Sequence, residues 1–265
     1  MTAQQNRWQR KELLAAFNLY CQIPFGKMHR SNPDIVALAK LLGRTASAVA
    51  MKLVNFASLD PAITSTGRVG LNNASAADRA VWEEFHGDWE QLALESAEIT
   101  MRLENNHEAS TTKSVPASLS NNSTYEGTTR NVVTAARVKQ AFFRKSVLSS
   151  YQNRCCMSSL IEPELLIASH IVPWSVDKSN RLNPRNGLCL STLHDRAYDI
   201  GLLTVTPEYR IKVSKRLKAQ SRIAMIKAGI VDLDGRKIQL PDKFWPDPEF
   251  LDWHLKNRFE RRENA

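Results

Sequence analysis

The stretches LIASHIVPW (166–174) and NGLCLSTLHD (186–195) decide the reading of this chain. In the first, an apolar run with strand character ends in a histidine, His170, and a polar basic loop follows. In the second, Asn186 opens an element that returns another histidine, His194, eight residues later. Two short strands and the first turn of a helix fit in that span. Such a hairpin followed by a helix can bring one side chain from each element to a single metal ion. A lone histidine at a strand end is commonly a structural residue, and Asn-Gly is a common turn dipeptide. The ordered set His170, Asn186, His194 is what favours chemistry.

Outward from this segment the C-terminal half reads as mixed. Residues 138–151 form a basic amphipathic helix with Phe142, Phe143, Val147 and Leu148 on its apolar side. Leu202–Thr206 and Tyr209–Val213 alternate like strands about Pro207-Glu208, predicting a second hairpin. One helix is expected near 219–228, and a closing helix at about 248–261. The N-terminal part reads as all-helical. Leu13, Leu14, Phe17 and Tyr20 fall on one helix face, and two helices flank Gly43-Arg44-Thr45, an arrangement like a helix-turn-helix. In that reading the second helix presents Ser47, Ala48, Met51, Lys52 and Asn55 to DNA, with Arg44 and Lys52 reaching phosphates. An ordinary helical hairpin in a small domain fits the same pattern. Ser75 caps a further, acidic helix. Residues 106–130 are rich in Ser, Thr and Asn and nearly devoid of apolar side chains, which predicts a flexible linker. The expected class is α+β: a helical domain over 1–105 expected to bind DNA, the linker over 106–130, and a second domain over 131–265.

Composition bounds the function. The chain has 265 residues, 43% of them hydrophobic and 24% charged. That is enough for two folded domains and unlike a disordered or collagen-like chain. No apolar run approaches the roughly 18 residues that span a bilayer, so no membrane partner is expected. Four cysteines without a C-x-x-C pair favour free thiols in a reducing compartment, hence a cytoplasmic location. Thirty-six Lys and Arg oppose twenty-seven Asp and Glu, a net charge of +9. The excess is divided: +6 over residues 1–70, −6 over 71–105 and +9 over 106–265. Two separate basic surfaces suit a polyanion, although solvated Lys and Arg on any soluble basic protein would give the same sum. Around the histidines, Arg154, Lys178, Arg181, Arg185 and Arg196 fit phosphate contacts.

The runs YQNRC (151–155), ASHIVPW (168–174), NGLCL (186–190) and HDRAYDIGLLT (194–204) resemble the HNH (ββα-metal) endonucleases. The likeness is to the branch associated with bacterial restriction-type nucleases. It covers about residues 137–255 and runs into the closing PDPEFLDWHLKNRF segment. IPFGKMH (23–29) and AVAMKLVNFASLDP (48–61) resemble the domain that often precedes this nuclease. The resemblance implies a ββα-metal domain with His170 as general base and Asn186 orienting the loop that carries it. It implies that His194 binds one divalent ion, Mg²⁺ or Mn²⁺ in preference to Zn²⁺, with Asp195 as the next ligand. Many relatives carry an acidic ligand just before the base, where this chain has Ser169, so either Asp195 or Asp199 is expected to supply that carboxylate, or water to fill the position. The implied function is metal-dependent hydrolysis of double-stranded DNA in restriction of foreign, even base-modified, DNA. A homodimer is expected because one such site cuts one strand. The alternatives are a non-catalytic DNA-binding regulator on a degenerate HNH scaffold and, third, an RNA-cutting toxin.

Overall fold

A computed structural model describes the backbone of residues 7–67, 74–111 and 124–264, and the side chains of all these except 106–111 and 124–133. Among the described residues no helix is long and apolar enough to cross a membrane. Two compact units divide the chain at Phe142 and Phe143.

The first unit is helical. Its elements are α1 (Arg10–Gln22), α2 (Pro33–Leu42), α3 (Ala46–Ala57), α4 (Pro61–Thr64), α5 (Ala76–His86) and α6 (Trp89–Thr111), followed by the start of α7 (Thr124–Ser150). The α1 stripe predicted from Leu13, Leu14, Phe17 and Tyr20 is fully buried. Phe17 sits at the centre, its ring 4.9 Å from that of Phe56 and 5.5 Å from that of Trp82. Gly43 ends α2 in the left-handed conformation (φ 63°), and Thr45 caps α3 by accepting from the Ala48 N–H at 3.1 Å. Ser75 caps α5 and exchanges bonds with Asp78. The acidic segment divides into α5 and α6 at Gly87-Asp88.

On the helix expected to meet DNA, Ser47 and Met51 are exposed, but the polar groups singled out for contacts turn inward. Lys52 is buried, its ammonium 2.8 and 3.0 Å from the two oxygens of Asp78, which has no exposed surface. Asn55 is buried too, with its Oδ1 lacking a hydrogen-bond partner. Arg44 forks onto Glu12 with two bonds of 2.9 Å and lies 4.3 Å over the Trp8 ring. Lys52 and Arg44 are therefore corrected from DNA contacts to internal partners, and Asn55 is corrected to a buried residue. Lys52 and Arg44 each find an opposite charge on another element, which makes their burial tolerable.

The second unit begins in the last turns of α7, where Phe143, Val147 and Leu148 are buried. It continues through β1 (Leu166–His170), β2 (Gly187–Ser191), α8 (Thr192–Asp199), β3 (Leu203–Val205), β4 (Ile211–Val213), α9 (Lys215–Lys218) and α10 (Ala224–Gly229). It closes with α11 (Pro248–His254), a π-helical segment (Leu255–Glu260) and α12 (Arg261–Glu263). β1 and β2 pair antiparallel, His170 opposite Gly187 and Leu166 opposite Ser191. β3 and β4 form the expected second hairpin, Val205 opposite Ile211. Of the helix expected near 219–228 only its second half is helical, as α10, while residues 219–223 form turns after the short α9. Gly201 (φ 70°) lets the turn after α8 lie on the π-helical segment, because a Cβ there would sit 2.6 Å from the Arg258 carbonyl oxygen. Helix, strand and hairpin content together make the architecture mixed, as the α+β expectation required.

Part of the stretch read as a linker is helical: α6 continues through 106–111, and α7 already includes 124–130. Residues 112–123 lie outside the described residues. A segment too polar to build a core can still prolong a helix, since each added residue closes one more backbone hydrogen bond on an existing turn. The helix α7 also runs through the boundary expected at residue 131.

Lys52→Ala leaves the buried Asp78 carboxylate without its counter-charge, with only the Ser75 N–H still donating to it, which costs about 3–5 kcal/mol of stability. Chemical denaturation of the two proteins measures this, and an unchanged midpoint would contradict the internal ion pair.

Candidate active site

The site forms where β1, β2 and α8 meet. A 15-residue excursion separates His170 from Asn186, and the Asn186 side chain closes it. Its Oδ1 accepts from the Val172 N–H at 2.8 Å, while its Nδ2 donates to the carbonyls of Val172 at 3.1 Å and Asn180 at 3.2 Å. The Ile171 N–H donates to the Asn186 carbonyl at 3.0 Å. Asn186 has no exposed surface, so these bonds face no competition from water.

His170, the last residue of β1, is held on three sides. Its ring stacks on Phe143 with centroids 3.8 Å apart and planes 7° from parallel, and meets the edge of Trp174 at 5.7 Å. Its Nε2 lies 2.9 Å from the Arg181 carbonyl oxygen. A carbonyl only accepts, so Nε2 carries the proton and Nδ1 keeps its lone pair in the neutral ring. Burial pushes the imidazole below its ordinary value, against the opposing pull of the Arg181 carbonyl. The ring is therefore neutral at pH 7.

Successive residues on α8 diverge by about 100°, and this separates His194 from Asp195. His194 points inward and is 2% exposed. Its Nε2 lies 2.7 Å from the Gly229 carbonyl, and its Nδ1 lies 2.9 Å from Ser191 Oγ and 3.5 Å from Cys155 Sγ. Burial lowers its proton affinity, but the Cys155 and Gly229 contacts prevail and raise it. The partner thiol behaves conversely: burial raises it, and bonds from His194 and Ser158 bring it down to about 6. Both ring nitrogens of His194 are thus engaged in the interior, which does not match the first-ligand role expected of it. Asp195 faces the other way. Its carboxylate accepts a hydrogen bond from Ser169, the neighbour of His170 on β1, and burial, together with Asp199 one turn on, raises its proton affinity above that of an ordinary aspartate.

The cations expected around the site divide. Arg154, Lys178 and Arg196 are exposed, Arg196 alongside Asp199 at 3.3 Å. Arg181 donates from Nε to the Trp174 carbonyl at 3.1 Å and lies 5.4 Å over that ring. Arg185 bonds the Trp245 carbonyl and pairs with Asp247 at 3.0 Å. These last two brace the loop. Sequence reasoning missed the part of Arg181 that touches the histidine, since a backbone carbonyl leaves no trace in residue identity. Phe143 was read only as an apolar helix residue. Among the described residues, no three His, Cys, Asp or Glu side chains converge as a metal cluster.

His194→Ala would leave the Gly229 carbonyl and the Ser191 hydroxyl without their buried partner. A loss of about 2–3 kcal/mol in unfolding free energy follows, readable by urea titration, and a loss below about 0.5 kcal/mol would contradict the buried role.

No curated protein sequence matches the chain. The family model described as HNH endonuclease matches residues 155–206, the segment holding β1, β2 and α8, so this part of the second unit is an HNH endonuclease region.

Proposed function

We propose that the chain is a metal-dependent DNA endonuclease whose base is His170. The carrying observation is a neutral imidazole whose Nε2 is fixed by the Arg181 carbonyl, leaving Nδ1 as its basic atom, on a loop pinned by Asn186. His170 Nδ1 takes a proton from water, the oxygen adds to phosphorus, and the P–O3′ bond breaks. The products are a 5′-phosphate and a 3′-hydroxyl, the latter reprotonated from solvent. A neutral base near working pH suits this step. Exposed Arg154, Lys178 and Arg196 supply phosphate contacts, which position the strand without reading its sequence.

The donor set around Asp195 fits a hard divalent cation: a half-buried carboxylate, the adjacent Ser169 hydroxyl and Asp199 one turn further on the same helix. Mg²⁺ binds through one or two carboxylates and retains water, so a full protein cage is unnecessary. Asp195 thus takes the role first expected of His194. When bound, such an ion supplies Lewis-acid stabilisation of charge on the phosphate and the departing oxygen.

The restriction role, a preference for modified bases, homodimeric cleavage of both strands and a reader function for the N-terminal domain rest on the resemblance. With Arg44, Lys52 and Asn55 internal, any DNA surface on that domain uses other residues. A non-catalytic regulator is the competing reading, favoured by Ser169 at the position where relatives carry an acid.

In Mg²⁺ or Mn²⁺ the wild type nicks plasmid DNA, and His170→Ala slows nicking by about 10²-fold or more. Persistence of nicking in the variant removes the assigned base, and no cleavage of modified or unmodified DNA by the wild type favours the regulator. Parallel RNA substrates decide the toxin alternative.

The pH profile gives a second check. Protonation removes the Nδ1 lone pair, so kcat/KM falls as pH drops through the pKa of His170, which burial holds below 6.5. The acid limb should have its midpoint under that value; a midpoint above it would contradict the buried neutral base.

A further inference from the structure

Beyond Asp195, α8 ends at an arginine-lined cleft that the hydrolytic step does not use. The cleft has a volume of about 580 Å³ and is lined by Asp199, Ile200, Asn257, Arg258, Arg261 and Arg262. Arg258, Arg261 and Arg262 are spaced i, i+3, i+4 on the closing helix and so share one face. Arg262 donates to the Ile200 carbonyl at 3.0 Å, which anchors the cleft floor to the turn after α8. Neither Arg258 nor Arg261 has a hydrogen-bond or carboxylate partner among the described residues. The single acid in the lining, Asp199, already lies beside Arg196. A smaller cleft of about 290 Å³, lined by Leu202, Arg216, Arg262 and Glu263, shares the Arg262 wall. Its acid is engaged too, accepting from the Lys215 N–H at 3.3 Å.

Two features indicate a built surface. Arg258 lies in the π-helical segment Leu255–Glu260, and a π turn inside a helix is rare and frequently marks a functional position. The backbone there is also locked, since the turn at Gly201 lies against the Arg258 carbonyl where no Cβ would fit. The guanidinium groups therefore stand on a fixed frame.

We infer that this cleft binds the phosphodiester backbone of the DNA strand beyond the scissile phosphate. The inference rests on the nuclease reading for its placement. Asp195 and Asp199 are four residues apart on α8, about 6 Å along the axis, so a strand crossing Asp195 runs on into the cleft. Planar guanidinium forks match phosphate oxygens in pairs, and unpartnered arginines lose no internal bond when they bind. The site reads charge and spacing, not base identity.

Binding of a random-sequence duplex, followed by fluorescence anisotropy in EDTA from low to moderate salt, tests this apart from cleavage. Arg261 is exposed and makes no internal bond among the described residues, so Arg261→Glu leaves folding undisturbed; Arg258→Ala/Arg261→Ala is the second variant. Each should weaken binding about tenfold or more, and the double variant should reduce the slope of log K against log salt by about 1–2. In Mg²⁺ at saturating DNA, kcat should stay near wild type while KM rises. Unchanged affinity and slope in Arg261→Glu, with cleavage intact, would overturn the cleft and leave the nuclease standing. Weakened binding by a chain that cleaves in neither form would support the cleft and overturn the nuclease reading.

Discussion

One buried amide holds the site together. Asn186 spends its acceptor and both donors on the backbone of Val172 and Asn180, and no water reaches them. The loop between β1 and β2 is thereby closed at its base. The same closure fixes where β1 ends and aims the Arg181 carbonyl at His170. A shorter side chain would leave three backbone groups unpaired in the interior, each costing about 1–3 kcal/mol. An aspartate would supply no donor for the two carbonyls. The residue type follows from the geometry of the loop.

On this frame the join between β2 and α8 sorts two adjacent side chains. Ser191 ends the strand, caps the helix through the His194 N–H and meets the His194 ring. His194 is thus drawn into the interior against Cys155 and Gly229, and Asp195 turns toward Ser169 and the end of β1. The helix also fixes the direction in which a strand could continue, because Asp199 follows Asp195 by one turn and opens onto the arginine cleft. On the proposed reading, one eight-residue helix sets both the packing of His194 and the direction of the substrate strand.

The hairpin-and-helix motif was legible because apolar periodicity and the spacing of His170, Asn186 and His194 are local. So were the caps at Gly43, Thr45 and Ser75, whose φ values and hydrogen bonds depend on neighbours in sequence. The role of His194 was not legible, since its partners Cys155 and Gly229 lie 39 and 35 residues away. The same holds for the N-terminal helices. Lys52 reads as a surface cation until Asp78, twenty-six residues on, appears beside it, and Arg44 reads likewise until Glu12 does. Composition misled at 106–111 and 124–130, where helix continuation needs no apolar face. For His194, Lys52 and Arg44 what failed was an inference about which side of an element faces water.

The account turns on which α8 side chain faces the end of β1, and titration of Mn²⁺ followed by electron paramagnetic resonance addresses it without reference to turnover. Wild type and His194→Gln should bind the ion alike, and Asp195→Asn should lose that binding. Retention in Asp195→Asn, or selective loss in a folded His194→Gln, would contradict the assignment.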